Sequence, residues 1–197
     1  MIKVMTDNAA NLPPELRAQY GITELCLTYT IDGEPVDISK PFDGHAFYEA
    51  MRKGAEVKTS MITPLAAREA MEPVLDRGDD VLYVGLSGAA AFAGTLLQIK
   101  PILQGDPEGK IVVLSKERGR KKAMDTLIQL YEELVEDKSA PVGISHAAAP
   151  AEALHLATVL RQAGCTGEIL SVCHEPVTGA HVGPGMLALY FYSQTWR

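Results

Sequence analysis

Segments that read as β-strands alternate along this chain with segments of helical periodicity. Residues 2–6 and 81–84 are apolar runs of strand length, whereas residues 43–53 and 120–136 carry apolar side chains at three- and four-residue steps. This rhythm is typical of parallel strands covered by helices, because a parallel crossover needs a connection about as long as a helix. The sequence therefore predicts an α/β fold.

The alternation continues over the whole length, which is enough for two lobes. A boundary near residue 88 divides the chain into an N-terminal lobe, 1–88, and a C-terminal lobe, 89–197, and each has a typical domain size. We expect a mainly parallel sheet in the first lobe and a mixed α/β sheet in the second. A ligand cleft is expected between the lobes, where small molecules often bind.

Several local signals predict individual elements. Residues 22–31 are rich in β-branched side chains and predict one strand, which Asp32-Gly33 would end in a tight turn. Asn11 is positioned to cap the first helix. Residues 168–172 predict the last inner strand of the second lobe.

Composition excludes several classes of protein. Of the 197 residues, 47% are hydrophobic and the net charge is −7, which argues against a nucleic-acid binder. No apolar run is long enough to span a bilayer. Cys26, Cys165 and Cys173 stand beside apolar residues without metal-type spacing, so we expect buried, reduced thiols in a cytoplasmic protein.

A hydroxyl-rich segment at residues 58–64 is the first candidate binding motif. Thr59 and Ser60 would lie in a turn just before a helix that starts at Thr63-Pro64. Their hydroxyls and the N–H groups of the helix start could converge on an anion. Taken alone, the same residues suit a plain helix cap, so both interpretations stay open.

The second candidate motif is a glycine-rich block at residues 179–185. His181 lies between Gly179 and Gly183, which predicts a loop whose backbone can approach a ligand closely. A lone histidine is more often structural, so this motif is not specific by itself.

A basic cluster interrupts the acidic balance of the chain. It comprises Lys116, Arg118, Arg120, Lys121 and Lys122, at the start of a predicted helix. Cations at a helix N-terminus are mildly unfavourable, so this charge suits an acidic partner surface better than it suits stability. A solvated helix start is the simpler alternative.

Five blocks in fixed order resemble the DegV family of bacterial fatty-acid-binding proteins. They are residues 4–13, 27–33 with 37–39, 58–60, 99–103 with 118–123, and 179–185. The resemblance implies a two-lobed α/β protein that holds a long-chain fatty acid between its lobes and needs no cofactor or metal. It implies a lipid-binding subunit rather than an enzyme.

The resemblance also implies roles for particular residues. The fatty-acid carboxylate would be held by Thr59, Ser60, a serine on a later loop and His181. The bound acid would be presented to a separate fatty-acid kinase, for which Arg118 and Arg120 are the predicted docking residues.

One departure from the family concerns the middle of the chain. Family members carry a long stretch between the strand that resembles residues 81–85 and the helix that resembles residues 90–97. Here Leu86-Ser87-Gly88 joins the two directly. Ser87 matches the family sequence on either side of the missing stretch, and only the first match makes it the carboxylate-binding serine.

Two other functions remain compatible with the sequence. One is an acyl hydrolase or transferase with Ser60 or Ser87 as nucleophile and His181 as base, although the chain has no Gly-x-Ser-x-Gly elbow. The other is a shortened homologue with only a protein-interaction role.

Overall fold

The computed structural model describes residues 1–85, 99–106 and 110–193. The chain divides into two compact units, one formed by Met1–Ala89 with His174–Pro184 and the other by Ala90–Cys173 with Gly185–Arg197. The helix expected at residues 90–97 lies outside the described residues.

The described elements alternate strand and helix through much of the chain. In chain order they are β1 (Ile2–Asp7), α1 (Pro14–Tyr20), β2 (Thr23–Leu25), β3 (Tyr29–Ile31), β4 (Glu34–Pro35), α2 (Gly44–Arg52), β5 (Val57–Thr59), α3 (Pro64–Leu75), β6 (Asp80–Val84), β7 (Ile99–Gly105), β8 (Ile111–Arg118), α4 (Arg120–Leu134), β9 (Val142–His146), α5 (Pro150–Gln162), β10 (Ile169–Cys173), α6 (Pro176–Val182) and β11 (Leu187–Tyr190).

The first unit contains a parallel three-stranded sheet in the order β2-β1-β6. Its central strand places Met5, which is 1% exposed, against Leu25 and Val74 in a small apolar core. Val74 lies on α3, so a helix covers this sheet, as the alternating pattern predicts. The α/β fold class is confirmed.

A second, antiparallel sheet in the first unit was not predicted from the sequence. The segment 22–31, expected as one strand, forms β2 and β3, which belong to different sheets. β3 lies between β4 and β5, and the Asp32-Gly33 turn joins β3 to β4 as expected. Consequently β5 places Thr59 opposite Tyr29 at the end of a strand, which corrects the expectation of a turn there.

Two helices, α2 and α3, begin at capping side chains that the sequence offers, whereas α1 does not. Asp43 accepts a hydrogen bond from the Ala46 N–H at the start of α2, and Thr63 accepts one from the Ala66 N–H at the start of α3. Asn11 does not cap α1, because Pro13 occupies the capping position of that helix. Asn11 instead adopts a left-handed backbone with φ of 57°, which asparagine tolerates well.

The second unit has a mixed sheet in the order β10-β9-β11, with β9 and β10 parallel and β11 antiparallel. Among the strands that the structure describes, β9 is therefore the inner one and β10 lies at an edge, contrary to expectation. The apolar core of this second unit lies between α4, α5 and β9. The buried members are Met124, Tyr131, Val135, Val142, Ile144, Ala153, Leu156, Leu160 and Cys165.

A β-hairpin formed by β7 and β8 belongs to the same unit, and its register shifts between Ile102 and Leu103. Cys165 is buried as expected, but Cys26 is exposed and Cys173 is half-buried. The prediction that all three thiols are buried is therefore wrong. Within the described ranges, no helix has the length and apolar character needed to cross a membrane.

Candidate functional site

Thr59 and His181 meet in the first unit although 122 positions separate them in sequence. Thr59 Oγ1 lies 3.2 Å from His181 Nε2, within hydrogen-bonding distance. Both side chains are half-buried, so they keep some access to solvent. The structure thus brings together one residue from each of the two candidate motifs. Their role as carboxylate ligands stays a prediction.

Thr59 is held by the antiparallel sheet, and Ser60 is held by Thr28, the residue just before β3. The Ser60 N–H donates to the Thr28 carbonyl oxygen at 2.9 Å, and the Ser60 hydroxyl donates to the same oxygen at 3.2 Å. The Ser60 hydroxyl also contacts the hydroxyl of Thr28. Ser60 is therefore engaged with Thr28, while Thr63 takes the plain capping role that was the alternative for this segment.

His181 lies in the last turn of the short helix α6 rather than in a loop. Glycine is typical of loops, but Gly179 is a buried residue of this helix. The Glu175 carboxylate caps the helix by accepting hydrogen bonds from the N–H groups of Val177 and Thr178, each at 3.0 Å. Gly183 ends it with a φ of 77°. The ring of His181 is thus carried by a capped helix, which gives it a defined direction.

The start of α6 is connected to the end of β1. The Glu175 N–H donates to Asn11 Oδ1 at 3.1 Å. Asn11 follows a single turn of 3-10 helix, Asn8–Ala10, which Asp7 caps by accepting from the Ala9 N–H at 3.1 Å. A polar connection therefore runs from the strand that centres the parallel sheet to the helix that carries His181.

Two side chains near Asp7, at the end of β1, have raised pKa values. Burial raises the pKa of the Glu175 carboxyl, and the nearby Asp7 carboxylate raises it further, against the lowering effect of its hydrogen bonds. Burial and the hydrogen bond from Tyr83 Oη to Asp7, at 2.9 Å, raise the pKa of Tyr83 to about 12. Both shifts show that negative charge on these two side chains is disfavoured.

Of the remaining predicted residues, Arg118 and Arg120 belong to the second unit. Ser87 falls outside the described residues. Arg118 is exposed at the end of β8, and Arg120 begins α4, where its Nε atom lies 3.7 Å from Oε1 of Glu152 on α5. Of the two predicted docking residues, Arg118 is the more accessible. Within the described part of the chain, no group of three or more His, Cys, Asp or Glu side chains could hold a metal ion.

Sequence reasoning missed two residues that build this region, Glu175 and Asn11. Glu175-Pro176 is a recognisable helix start, because proline is favoured in the first helical turn and an acidic side chain can cap it. That signal could have predicted α6. Nothing local to Asn11 indicates a contact 164 positions away.

The chain is thus an α/β protein in which Thr59 on β5 contacts His181 on α6. Comparison with known proteins gives the family. The family model described as "Uncharacterised protein, DegV family" matches residues 1–89 and 86–194. The chain therefore belongs to the DegV family. Residues 86–89 are shared by both matches, at the point where the chain departs from the family pattern.

Individual relatives agree with this assignment. A DegV domain-containing protein of Streptococcus pyogenes serotype M3 is 41% identical over 103 residues, which cover 52% of this chain and 36% of that relative. The chain thus matches about a third of the length of this curated relative.

Solved structures share the fold. A DegV family protein from Thermus thermophilus, described for its fatty acid binding, has a TM-score of 0.81 at 18% identity, covering 98% of this chain and 99% of the other. DegV of Bacillus subtilis, described as a fatty acid binding protein, has a TM-score of 0.74 at 22% identity, with 95% and 97% covered.

Proposed function

We propose that this protein binds a long-chain fatty acid and holds its carboxylate at Thr59 and His181. The observation that carries the proposal is the 3.2 Å contact between Thr59 Oγ1 and His181 Nε2. The descriptions of the Thermus thermophilus and Bacillus subtilis proteins as fatty acid binders support the same ligand class.

The chemistry of the pair suits a carboxylate. A threonine hydroxyl and an imidazole N–H are both donors, and two donors this close together can bind one carboxylate group at the same time. Hydrogen bonds to a charged acceptor are stronger than those between neutral groups. The contact between the two side chains in the free protein would be exchanged for contacts with the ligand.

Affinity and orientation would come from different parts of the ligand. Each buried methylene contributes about 0.8 kcal/mol, so a dozen buried carbons would dominate the binding free energy. The head-group contacts would mainly fix which end of the acid lies at His181.

Ser60 and Ser87 complete the proposed head-group site. Ser60 follows Thr59 directly, and its hydroxyl would bind the carboxylate after exchanging its contact with Thr28. Ser87 would contribute if it corresponds to the first of its two family matches, which is the carboxylate-binding serine. No cofactor is needed for this function, because the protein binds the acid without transforming it.

We further propose that the bound acid is presented to a fatty-acid kinase, which docks at Arg118 and Arg120. Two features support this role: Arg118 is exposed, and the adjoining residues Lys121 and Lys122 are exposed cations. Charges at the edge of an interface mainly change association rate and salt dependence. The carboxylate must stay within reach of the partner, and half-buried donors satisfy that requirement.

The direct test is lipid content combined with head-group variants. Organic extraction and mass spectrometry of the purified protein should yield a long-chain fatty acid. Delipidated protein should bind such an acid saturably, and Thr59→Ala or His181→Ala should weaken that binding. Thr63→Ala is a matched control, since it removes a nearby threonine hydroxyl that caps α3. Absence of both extracted lipid and saturable binding would contradict the proposal and favour a protein-interaction role.

A further inference from the structure

Tyr48 is a buried tyrosine on α2 whose hydroxyl reaches the segment before α6. Its side chain is 0% exposed, and its ring packs edge-on against Phe47 with centroids 5.0 Å apart. The Tyr48 hydroxyl donates to the carbonyl oxygen of His174 at 2.9 Å, across 126 positions of sequence. Because the ring is fixed by its packing, this hydrogen bond locates the backbone immediately before α6.

The same hydroxyl lies against the middle of α6, at Gly179. A Cβ atom on residue 179 would lie 2.1 Å from Tyr48 Oη and 2.9 Å from Tyr48 Cζ. Real Cβ contacts are longer than this, so glycine is required here by close approach of the tyrosine. Gly179 is itself buried. Tyr48 and Gly179 therefore interlock, and α6 rests directly on the tyrosine hydroxyl.

This interlock bears on His181, which lies two residues beyond Gly179. α6 has only seven residues, and a helix this short is not stable without tertiary contacts. Its position is consequently set by what it packs against. A shift of the helix would displace the imidazole relative to Thr59, and a hydrogen bond of 3.2 Å tolerates little displacement before it is lost.

We propose that Tyr48 is a positioning residue for head-group recognition, fixing α6 through His174 and Gly179 so that His181 stays within reach of Thr59. The inference rests on the proposed fatty-acid function, because it assigns the residue that orients the proposed ligand His181. Tyr48 does not contact the fatty acid itself. Its effect is transmitted through the backbone of α6.

The test is a double-mutant cycle of Tyr48→Phe and Gly179→Ala. The first readout is the ratio of affinities for a C16 fatty acid and for the alcohol of the same length, which isolates head-group recognition from chain burial. Tyr48→Phe should lower this ratio about two- to tenfold, the value of one neutral hydrogen bond. Gly179→Ala should lower it further, because the added methyl group displaces the helix.

The effects of the two substitutions on the affinity ratio should not be additive. In the Tyr48→Phe background the atom 2.1 Å from the new Cβ is gone, and the nearest remaining atom is Cζ at 2.9 Å. Gly179→Ala should therefore cost less there than in the wild-type protein. Tyr131→Phe removes a hydroxyl from the other fully buried tyrosine, in the core of the second unit, and should leave the ratio unchanged.

A second readout works without ligand. Imidazole ¹⁵N and ¹H chemical shifts of His181 in the free protein should change in Tyr48→Phe and Gly179→Ala but not in Tyr131→Phe. If wild-type protein binds no fatty acid, the proposed function fails while this readout still tests the positioning role. Unchanged His181 signals in Tyr48→Phe, or an equal effect of Gly179→Ala in both backgrounds, would overturn the inference.

Discussion

The Thr59–His181 region and the basic cluster at residues 116–122 are built in opposite ways. The first unites segments separated by 122 positions, and its side chains are half-buried and hydrogen-bonded. The second is contiguous in sequence, and most of its cations are exposed, with Arg120 half-buried near Glu152.

This difference has energetic consequences. Hydrogen bonds among partly buried groups depend strongly on geometry, because a displaced donor is not replaced as easily by water. Exposed charges are screened by solvent and salt, so their position matters less. We therefore expect substitutions near His181 to change ligand recognition sharply, and substitutions in the basic cluster to change partner association modestly.

The largest effect is expected from the head-group residues themselves. Thr59→Ala or His181→Ala should each weaken binding of a long-chain acid relative to its alcohol by about 1–3 kcal/mol, typical of a charge-assisted hydrogen bond. Competition titrations with the two ligands measure the difference. The double variant should lose less than the sum, because the two side chains contact each other. Equal losses for acid and alcohol would assign both residues to the acyl-chain pocket or the core.

Thr63→Ala should separate stability from recognition within the same segment. Removing the hydroxyl that accepts the Ala66 N–H should lower the free energy of unfolding by about 1 kcal/mol, the usual effect of losing a helix cap. Chemical denaturation monitors this change. The preference for acid over alcohol should stay at the wild-type value, and a loss as large as that of Thr59→Ala would place Thr63 in the head-group site.

Glu175→Gln tests how charge at the start of α6 affects stability. Burial raises the folded-state pKa of Glu175, so its contribution is most favourable below about pH 4.5 and is lost as the pH rises through the folded-state value. Glutamine does not ionise, and its single oxygen can accept from the Val177 or the Thr178 N–H but not from both, as the two carboxylate oxygens do. The wild-type unfolding free energy should therefore fall relative to that of the variant as the pH rises above about 4.5. If the wild-type unfolding free energy instead rises relative to that of Glu175→Gln over this pH range, the raised pKa of Glu175 would be contradicted.

The smallest effect is expected in the basic cluster. Arg118→Glu, alone or with Arg120→Glu, should slow acyl-phosphate formation by a fatty-acid kinase, with a change of about 0.2–1 kcal/mol per exposed charge that fades at high salt. Lipid content should stay unchanged. Lys53→Glu, an equal charge reversal at an exposed position of the first unit, serves as the control. If both reversals slow the reaction equally, net charge rather than a docking surface is responsible.

Elements that depend on contacts between nearby residues were predictable from the sequence, and those that depend on distant contacts were not. The Asp32-Gly33 turn and the helix that starts at Thr63-Pro64 were predictable because their signals lie within a few residues. His181 was misassigned to a loop because Gly179 suggests flexibility. The structure gives another reason for that glycine, the hydroxyl of Tyr48 at 2.1 Å from where a Cβ would lie.

The small antiparallel sheet was missed for a related reason. β3 and β5 are three residues long, too short for a clear alternation, and their pairing joins residues about thirty positions apart. The candidate residues Thr59 and His181 were found through family resemblance, since neither motif is specific alone. Their contact depends on a strand register and a helix position that only the folded chain defines.

The most direct test of the account is to observe His181 while the ligand binds. Protein labelled with ¹⁵N-histidine, with the His181 signals assigned by comparison with His181→Ala, would be titrated with a C16 fatty acid and separately with the C16 alcohol. If His181 binds the carboxylate, its Nε2 resonance should change saturably with the acid and much less with the alcohol. Saturable binding of the acid that leaves the His181 resonances unchanged, or an identical change with the alcohol, would contradict this role of His181.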